Sequence, residues 1–183
     1  MRWATKYSRR PSRRSGQRIA ARFPKRRCAF DFVADKYRFS AAMRTAGWQA
    51  FARIEVNEPM HGYGDLAVLQ ELPVRRFLVT SGFRRLQESK VRALGFAEWF
   101  AAIHIDAIDE PERKGKHGLF KELLATHGLP PSAVLVVGDN PDSEIAAGNR
   151  LGMKTIQILR PGVPRSDTAT AHIHSLSELK TFL

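Results

Sequence analysis

Short apolar runs alternate with amphipathic stretches from residue 74 onward. The run at 133–137 is too short for a helix, is rich in valine and stops at Gly138, as a strand buried on both faces does. The predicted strands cover residues 74–79, 102–107, 133–137 and 155–159, and the predicted helices cover 84–94, 116–127, 141–151 and 176–182. This alternation predicts an α/β fold, a doubly wound parallel sheet with helices on both faces.

The part of the chain before residue 74 follows the alternation less regularly. Residues 28–33 predict a short strand that ends near Asp31. The aromatic-rich stretch 35–53 predicts one or two helices, 56–64 a loop and 65–72 an amphipathic helix. Apart from the first 27 residues, we expect one domain over 28–183. Within it, 28–64 is an atypical region with little or no cap, that is, little or no additional subdomain to cover a binding site.

Charge is concentrated at the amino terminus. Residues 1–27 hold eleven Lys or Arg and no acid. Of the formal net charge of +12, this leaves +1 for the other 156 residues. We expect a disordered basic arm over 1–27, which binds nucleic acid through phosphate contacts, is a solvated tail without a partner, or is upstream sequence translated from a misplaced start.

Cysteine content and hydropathy limit the location of the protein. A single cysteine, Cys28, excludes an internal disulfide and a cysteine metal cluster. No apolar run approaches the length of a membrane span. We therefore expect a cytoplasmic protein without a membrane partner.

Two carboxylates follow the predicted strand at 133–137. Asp139 stands where this strand ends, and Glu144 lies one helical turn beyond it. Two acids that converge at the carboxyl edge of a parallel sheet repel each other unless a cation joins them, and their hard oxygen ligands suit Mg²⁺. The alternative is an ordinary strand-to-helix corner whose acids only stabilise the helix amino terminus.

Other polar residues occur at the ends of the remaining predicted strands. They are Asp31, then Thr80 with Ser81, and then a lysine, Lys114 or Lys116, at the start of the following helix. A carboxylate can attack phosphorus, while hydroxyl and lysine neutralise phosphate oxygens and Mg²⁺ offsets the remaining charge. The set predicts phosphoryl transfer.

The same residues resemble the motifs of the haloacid dehalogenase (HAD) superfamily of phosphatases. The stretch Phe77–Gly82 is similar to its second motif, Lys116 or Lys114 to its third and residues 136–144 to its fourth. The resemblance covers about residues 61–183. It implies a Rossmann-type hydrolase that acts on a small phosphorylated substrate.

The resemblance also implies a role for each matching residue. Asp31 would be the nucleophile that forms an aspartyl-phosphate intermediate, and Thr80 would bind phosphate together with Ser81 and Gly82. The lysine would steady the phosphate. We prefer Lys116 in this role because it directly opens the predicted helix.

The first motif departs from the family pattern. The metal set implied by the resemblance is Asp31, Asp139, Glu144 and the backbone carbonyl of Val33. Val33 stands where the family has an aspartic general acid/base, and its side chain cannot transfer a proton, a role that is typically worth a factor of about 10² to 10⁴. Three interpretations stay open: a phosphatase with a degenerate first motif, a non-catalytic or truncated HAD-like domain, or a nucleic-acid-associated protein that uses the basic arm.

Overall fold

The computed structural model describes residues 29–183, so the predicted basic arm and Cys28 lie outside the described residues. The helices are α1 (Ala29–Lys36), α2 (Ala41–Arg53), α3 (Val68–Glu71), α4 (Arg84–Leu94), α5 (Gly115–His127) and α6 (Ala146–Arg150). The strands are β1 (Phe77–Gly82), β2 (Ala102–Ala107), β3 (Leu135–Gly138), β4 (Lys154–Ile158) and β5 (Ala171–Ile173). A π-helical turn (Pro141–Ile145) precedes α6, and a 3₁₀ helix (Leu176–Phe182) closes the chain.

The first described element corrects the sequence interpretation. Residues 28–33 were expected as a strand, but from residue 29 onward the chain forms α1. Phe30 and Ala34 are one helical turn apart. Ala34 is completely buried, and the ring of Phe30 packs 6.2 Å from Trp48 and 5.4 Å from Phe51 of α2. A short apolar run fits the side-chain period of a strand or of a helix, and here the contacts with α2 stabilise the helix.

All strand pairs in the described part of the chain are parallel, which confirms the predicted α/β class. Within residues 29–183 the strands form two sheets, one of β1 and β2 and one in the order β3-β4-β5. A single sheet was the simplest expectation from the sequence. The division falls between β1 and β3, the two strands that carry the predicted site.

Helices cover both faces of the larger sheet. The side chains of β3 point alternately to these two faces. Val136 packs on one face with Phe120 of α5 and Ala147 of α6. Val137 packs on the other face against a cluster that includes Leu179 of the closing 3₁₀ helix. The strand predicted from the continuous apolar run therefore packs against other elements on both faces.

An apolar cavity separates the two sheets. It has a volume of about 880 Å³, and residues 77–79 of β1 and 135–138 of β3 line it. We call this cavity the slot. Leu69 of α3 and Leu179 also line the slot, so the two short helical elements that pack on the larger sheet form part of its wall.

Asp65, which precedes α3, connects this part of the chain to the closing 3₁₀ helix. Its carboxylate accepts two hydrogen bonds of 2.7 Å from Arg160 Nη2 and one of 2.8 Å from the backbone N–H of Leu176. Burial raises the pKa of Asp65, but the bonds from Leu176 and Arg160 outweigh it and hold the pKa below its usual value. This contact therefore stabilises the fold at neutral pH and is lost as acid protonates the carboxylate.

Other predicted elements differ mainly in length and type. The predicted helices at 84–94 and 116–127 and the strand at 102–107 are confirmed as α4, α5 and β2. The helix expected over 65–72 shortens to α3, and the one expected over 141–151 begins as a π-helical turn. No helix within the described residues is long and apolar enough to cross a membrane.

Candidate active site

The carboxyl end of β1 carries two hydroxyl groups that are held in place. Thr80 Oγ1 donates a hydrogen bond of 3.0 Å to Gln87 Oε1 of α4, and Ser81 Oγ donates one of 3.0 Å to Asp106 Oδ2 of β2. A Cβ atom at Gly82 would lie 2.3 Å from Gln87 Nε2, so glycine permits the approach of Gln87. Thr80 must exchange its partner before it can donate to a ligand.

The lysine at the start of α5 reaches this edge of the sheet. Lys116 Nζ donates a hydrogen bond of 2.5 Å to the backbone carbonyl of Val79 and lies 2.9 Å from Glu144 Oε1. Its side chain is 9% exposed. By contrast, Lys114 is 55% exposed and pairs with Glu122 at 2.8 Å. The geometry therefore favours Lys116 over Lys114 as the lysine of the site.

Asp106 is a residue of this edge that the sequence interpretation missed. Its carboxylate is fully buried and accepts hydrogen bonds from Ser81 Oγ at 3.0 Å, Arg113 Nε at 2.9 Å and the backbone N–H of Gly115 at 2.9 Å. Asp106 thereby joins β1 to the first residue of α5, next to Lys116. A polar residue near the end of the strand predicted at 102–107 was the signal that could have revealed it.

The two carboxylates after β3 line the slot at its carboxyl end. Asp139 is exposed, and its backbone carbonyl accepts a 3.0 Å hydrogen bond from the fully buried Gln157, a second residue that the sequence interpretation missed. Glu144 Oε2 is buried and has no hydrogen-bond partner among residues 29–183. A Cβ atom at Gly138 would lie 2.7 Å from Glu144 Cγ, so glycine lets Glu144 fold back over the end of β3.

The carboxylates of Asp139 and Glu144 are of the kind that binds a magnesium ion. A buried carboxylate oxygen without a partner and an exposed carboxylate beside the same cavity are hard donors, and Mg²⁺ usually keeps several waters besides one or two carboxylates. No group of three or more His, Cys, Asp or Glu that could hold a metal ion occurs in the part of the chain that the structure describes.

The structure does not bring the first-motif residues to this edge as a strand would. Asp31 lies in the first turn of α1 and lines a separate small cavity with Arg44 and Trp48. The backbone carbonyl of Val33 accepts the helical hydrogen bond from Tyr37 at 3.0 Å, so it belongs to α1 and not to a strand end. The expectation that Asp31 stands at a strand end is therefore wrong.

Gly138→Ala is expected to weaken magnesium binding by at least about tenfold, the usual effect of disturbing a metal ligand through its surroundings. The added methyl group must displace Glu144, whose Cγ would be only 2.7 Å away. Gly64→Ala is the control, because nothing lies within 4 Å of a Cβ atom there. Calorimetric titration with Mg²⁺ measures both variants, and equal affinities would contradict the assignment of Glu144.

The fold and this edge define the class of the protein, an α/β domain whose polar side chains gather at the carboxyl ends of parallel strands. The family model described as haloacid dehalogenase-like hydrolase matches residues 9–152, more than half of the chain. The chain therefore belongs to the haloacid dehalogenase-like hydrolases, as its motifs indicated.

Individual relatives match a smaller region. The chain is 32% identical over 123 residues to N-acylneuraminate-9-phosphatase from Mus musculus, which covers 64% of this chain and 49% of the relative. It is 32% identical over 98 residues to glyceraldehyde 3-phosphate phosphatase from Methanopyrus kandleri, with 52% and 40% covered. The chain thus spans about half the length of the curated relatives it matches.

A solved structure supports the fold. The HAD phosphatase from Thermococcus onnurineus superposes with a TM-score of 0.55 at 24% sequence identity. The superposition covers 66% of this chain and 57% of that chain. At this identity the likeness concerns the arrangement of strands and helices.

Proposed function

We propose that this protein is a magnesium-dependent phosphohydrolase that acts on small phosphate monoesters. The observation that carries the proposal is the position of Lys116, which joins the end of β1 to Glu144 beside Thr80. A nearly buried ammonium group next to hydroxyl and carboxylate groups is suited to an anion and a cation bound together. Relatives named as phosphatases of small phosphorylated compounds support the substrate class.

The described residues divide into two binding functions. Lys116 offsets the charge of the phosphoryl group, and the hydroxyl groups of Thr80 and Ser81 donate to its oxygens after Thr80 releases Gln87. Asp139 and Glu144 would hold Mg²⁺. The bound ion would neutralise phosphate charge and orient the substrate.

The nucleophile of this proposal is Asp31, and its attack on phosphorus requires α1 to move. α1 has only eight residues, and an isolated helix of that length is marginal in water, so contacts such as those of Phe30 hold it in place. Release of these contacts would free Asp31 to approach Lys116. Val33 supplies no proton, so turnover is expected to be slow and to favour substrates with good leaving groups.

A second candidate function is binding without turnover. It is favoured by the placement of Asp31 in a helix, away from the strand end where the family's first motif requires a carboxylate. In this case the domain binds phosphate and magnesium but has no nucleophile in position for the reaction. The two candidates differ in whether Asp31 matters for turnover.

Magnesium-dependent hydrolysis of p-nitrophenyl phosphate tests the proposal. Asp31→Asn is expected to abolish turnover because the amide cannot form an acyl phosphate. The matched control is Asp35→Asn, since Asp35 is also on α1 and its carboxylate pairs with Arg44 at 2.7 Å. Equal rates in the wild type and Asp31→Asn, or a wild type that binds Mg²⁺ and phosphate without turnover, would favour the binding function.

A further inference from the structure

We propose that Gln157 of β4 is a positioning residue, which holds Asp139 for Mg²⁺ and couples the metal site to the loop that follows β4. This loop comprises residues 159–170, between β4 and β5. Because the magnesium site belongs to the proposed function, this role of Gln157 rests on that function. It adds to the site a residue that does not touch the ion and a segment of chain that responds to it.

The amide group of Gln157 is fully buried and bonds to two separate segments of the chain. Its Nε2 donates a hydrogen bond of 3.0 Å to the backbone carbonyl of Asp139 and another of 3.0 Å to that of Pro164. Its Oε1 accepts a hydrogen bond of 2.9 Å from the backbone N–H of Ser166. Both N–H donors of the amide are therefore engaged, and the reversed orientation would place its oxygen against two carbonyl oxygens. The three partners thus fix the orientation of this side chain.

Gln157 extends the hold of the sheet on β3 by one residue. The parallel pairing of β3 with β4 ends at Gly138 and Gln157, so Asp139 is the first residue beyond the ladder. The side chain of Asp139 is exposed, and its position therefore depends on the backbone that carries it. The bond from Gln157 fixes the carbonyl of Asp139 where the ladder no longer does. Hydrogen bonds of this kind orient the ligands of a metal ion.

The same amide group holds the loop after β4. Pro164 and Ser166 belong to this loop, and both bond to Gln157 through their backbone. On its other side, the carbonyl of Ser166 accepts a hydrogen bond of 2.7 Å from His172 Nε2 of β5. Ser166 is therefore held through both of its backbone groups, and a single side chain connects it to Asp139.

The binding of Mg²⁺ at Asp139 and the order of the loop are linked through this amide. When the loop opens, Gln157 loses Pro164 and Ser166 and no longer fixes Asp139, so the opened state is expected to bind Mg²⁺ about tenfold more weakly. By thermodynamic reciprocity, saturating Mg²⁺ then disfavours opening by the same factor. An amide with a purely structural role would stabilise the fold but would leave the Mg²⁺ affinity of the folded protein unchanged.

Gln157→Met tests the role of the amide in the full chain. Methionine keeps an unbranched side chain of nearly the same length but makes none of the three hydrogen bonds. We expect the affinity for Mg²⁺, measured by calorimetric titration, to fall by at least about tenfold. Thr155→Val is the matched control, because Thr155 is also fully buried on β4 and its Oγ1 donates a hydrogen bond of 2.8 Å to Asn149 Oδ1. This control loses a buried hydrogen bond away from Asp139 and should bind Mg²⁺ as the wild type does.

Amide hydrogen exchange in the wild type tests the coupling to the loop. The N–H of Ser166, which donates to Gln157, should exchange about tenfold more slowly with saturating Mg²⁺. The N–H of Thr170 is the reference in the same loop, because it donates to Thr155 Oγ1 at 3.2 Å, and its exchange should not change. In Gln157→Met the effect of Mg²⁺ on Ser166 should disappear. If this variant does not fold, the comparison of the two amides in the wild type still decides.

Asp139→Asn separates a failure of the metal site from a failure of the role of Gln157. If Asp139→Asn binds Mg²⁺ as the wild type does, the magnesium site is wrong and the role of Gln157 is overturned with it. If Asp139→Asn loses affinity but Gln157→Met does not, or if Mg²⁺ affects Ser166 and Thr170 equally, only the role of Gln157 is overturned. Equal losses of affinity in Gln157→Met and Thr155→Val would also overturn it, since the loss of any buried hydrogen bond on β4 would then explain the effect.

Discussion

Lys116→Met is expected to lower kcat/KM for p-nitrophenyl phosphate by about 10² to 10³, the usual effect of removing one preorganised group that stabilises developing negative charge. Methionine keeps an unbranched apolar side chain of nearly the same length but cannot neutralise phosphate. It also leaves Glu144 without its cation at 2.9 Å. The affinity for inorganic phosphate, measured by inhibition, should fall in parallel.

Lys114→Met is the matched control for this prediction. Lys114 lies two residues away but is 55% exposed, and its partner Glu122 is also at the surface. Exposed ion pairs contribute little to stability, about 0 to 1 kcal/mol, so this variant should fold and act like the wild type. A loss of similar size in both variants, or none in Lys116→Met, would show that the structure assigns the wrong lysine.

Asp106→Asn is expected to lower the free energy of unfolding by about 3 kcal/mol, since removing the charge of a buried, hydrogen-bonded carboxylate leaves its donors poorly matched. The affected donors are Ser81, Arg113 and Gly115. Denaturant unfolding at neutral pH measures the change. The prediction follows from burial, because the Asp106 side chain has no exposed surface.

Asp167→Asn makes the same chemical change at an exposed position and should stay within about 0.5 kcal/mol of the wild type. An equal effect of the two substitutions would mean that the network around Asp106 does not stabilise the fold. Loss of turnover with unchanged stability would instead indicate that Asp106 acts mainly by positioning Ser81 and the start of α5.

Several sequence predictions stay predictions because they concern residues or properties beyond the described structure. The binding of nucleic acid by residues 1–27 and the cytoplasmic location are among them. The Asp31→Asn experiment distinguishes a slow phosphatase from a binding domain.

The sequence by itself determined most of the fold from residue 74 onward. Strands such as β2 and helices such as α4 have clear periods and end at glycine or at polar turns, so local pattern and tertiary structure agree. The position of Asp139 at the end of β3 follows from the same local rule. Class, strand order along the chain and the polar strand ends were therefore readable without coordinates.

Only the tertiary structure decided how these pieces meet. Residues 28–33 fit a strand or a helix equally well, and the packing of Phe30 against Trp48 selected the helix that removes Asp31 from the sheet edge. Asp106 had a signal in the sequence, its place near the end of a predicted strand, but its burial and its partners were decided by the tertiary structure, as they were for Gln157. The division of the strands of residues 29–183 into two sheets likewise depends on strand pairing between distant segments, which a local pattern does not specify.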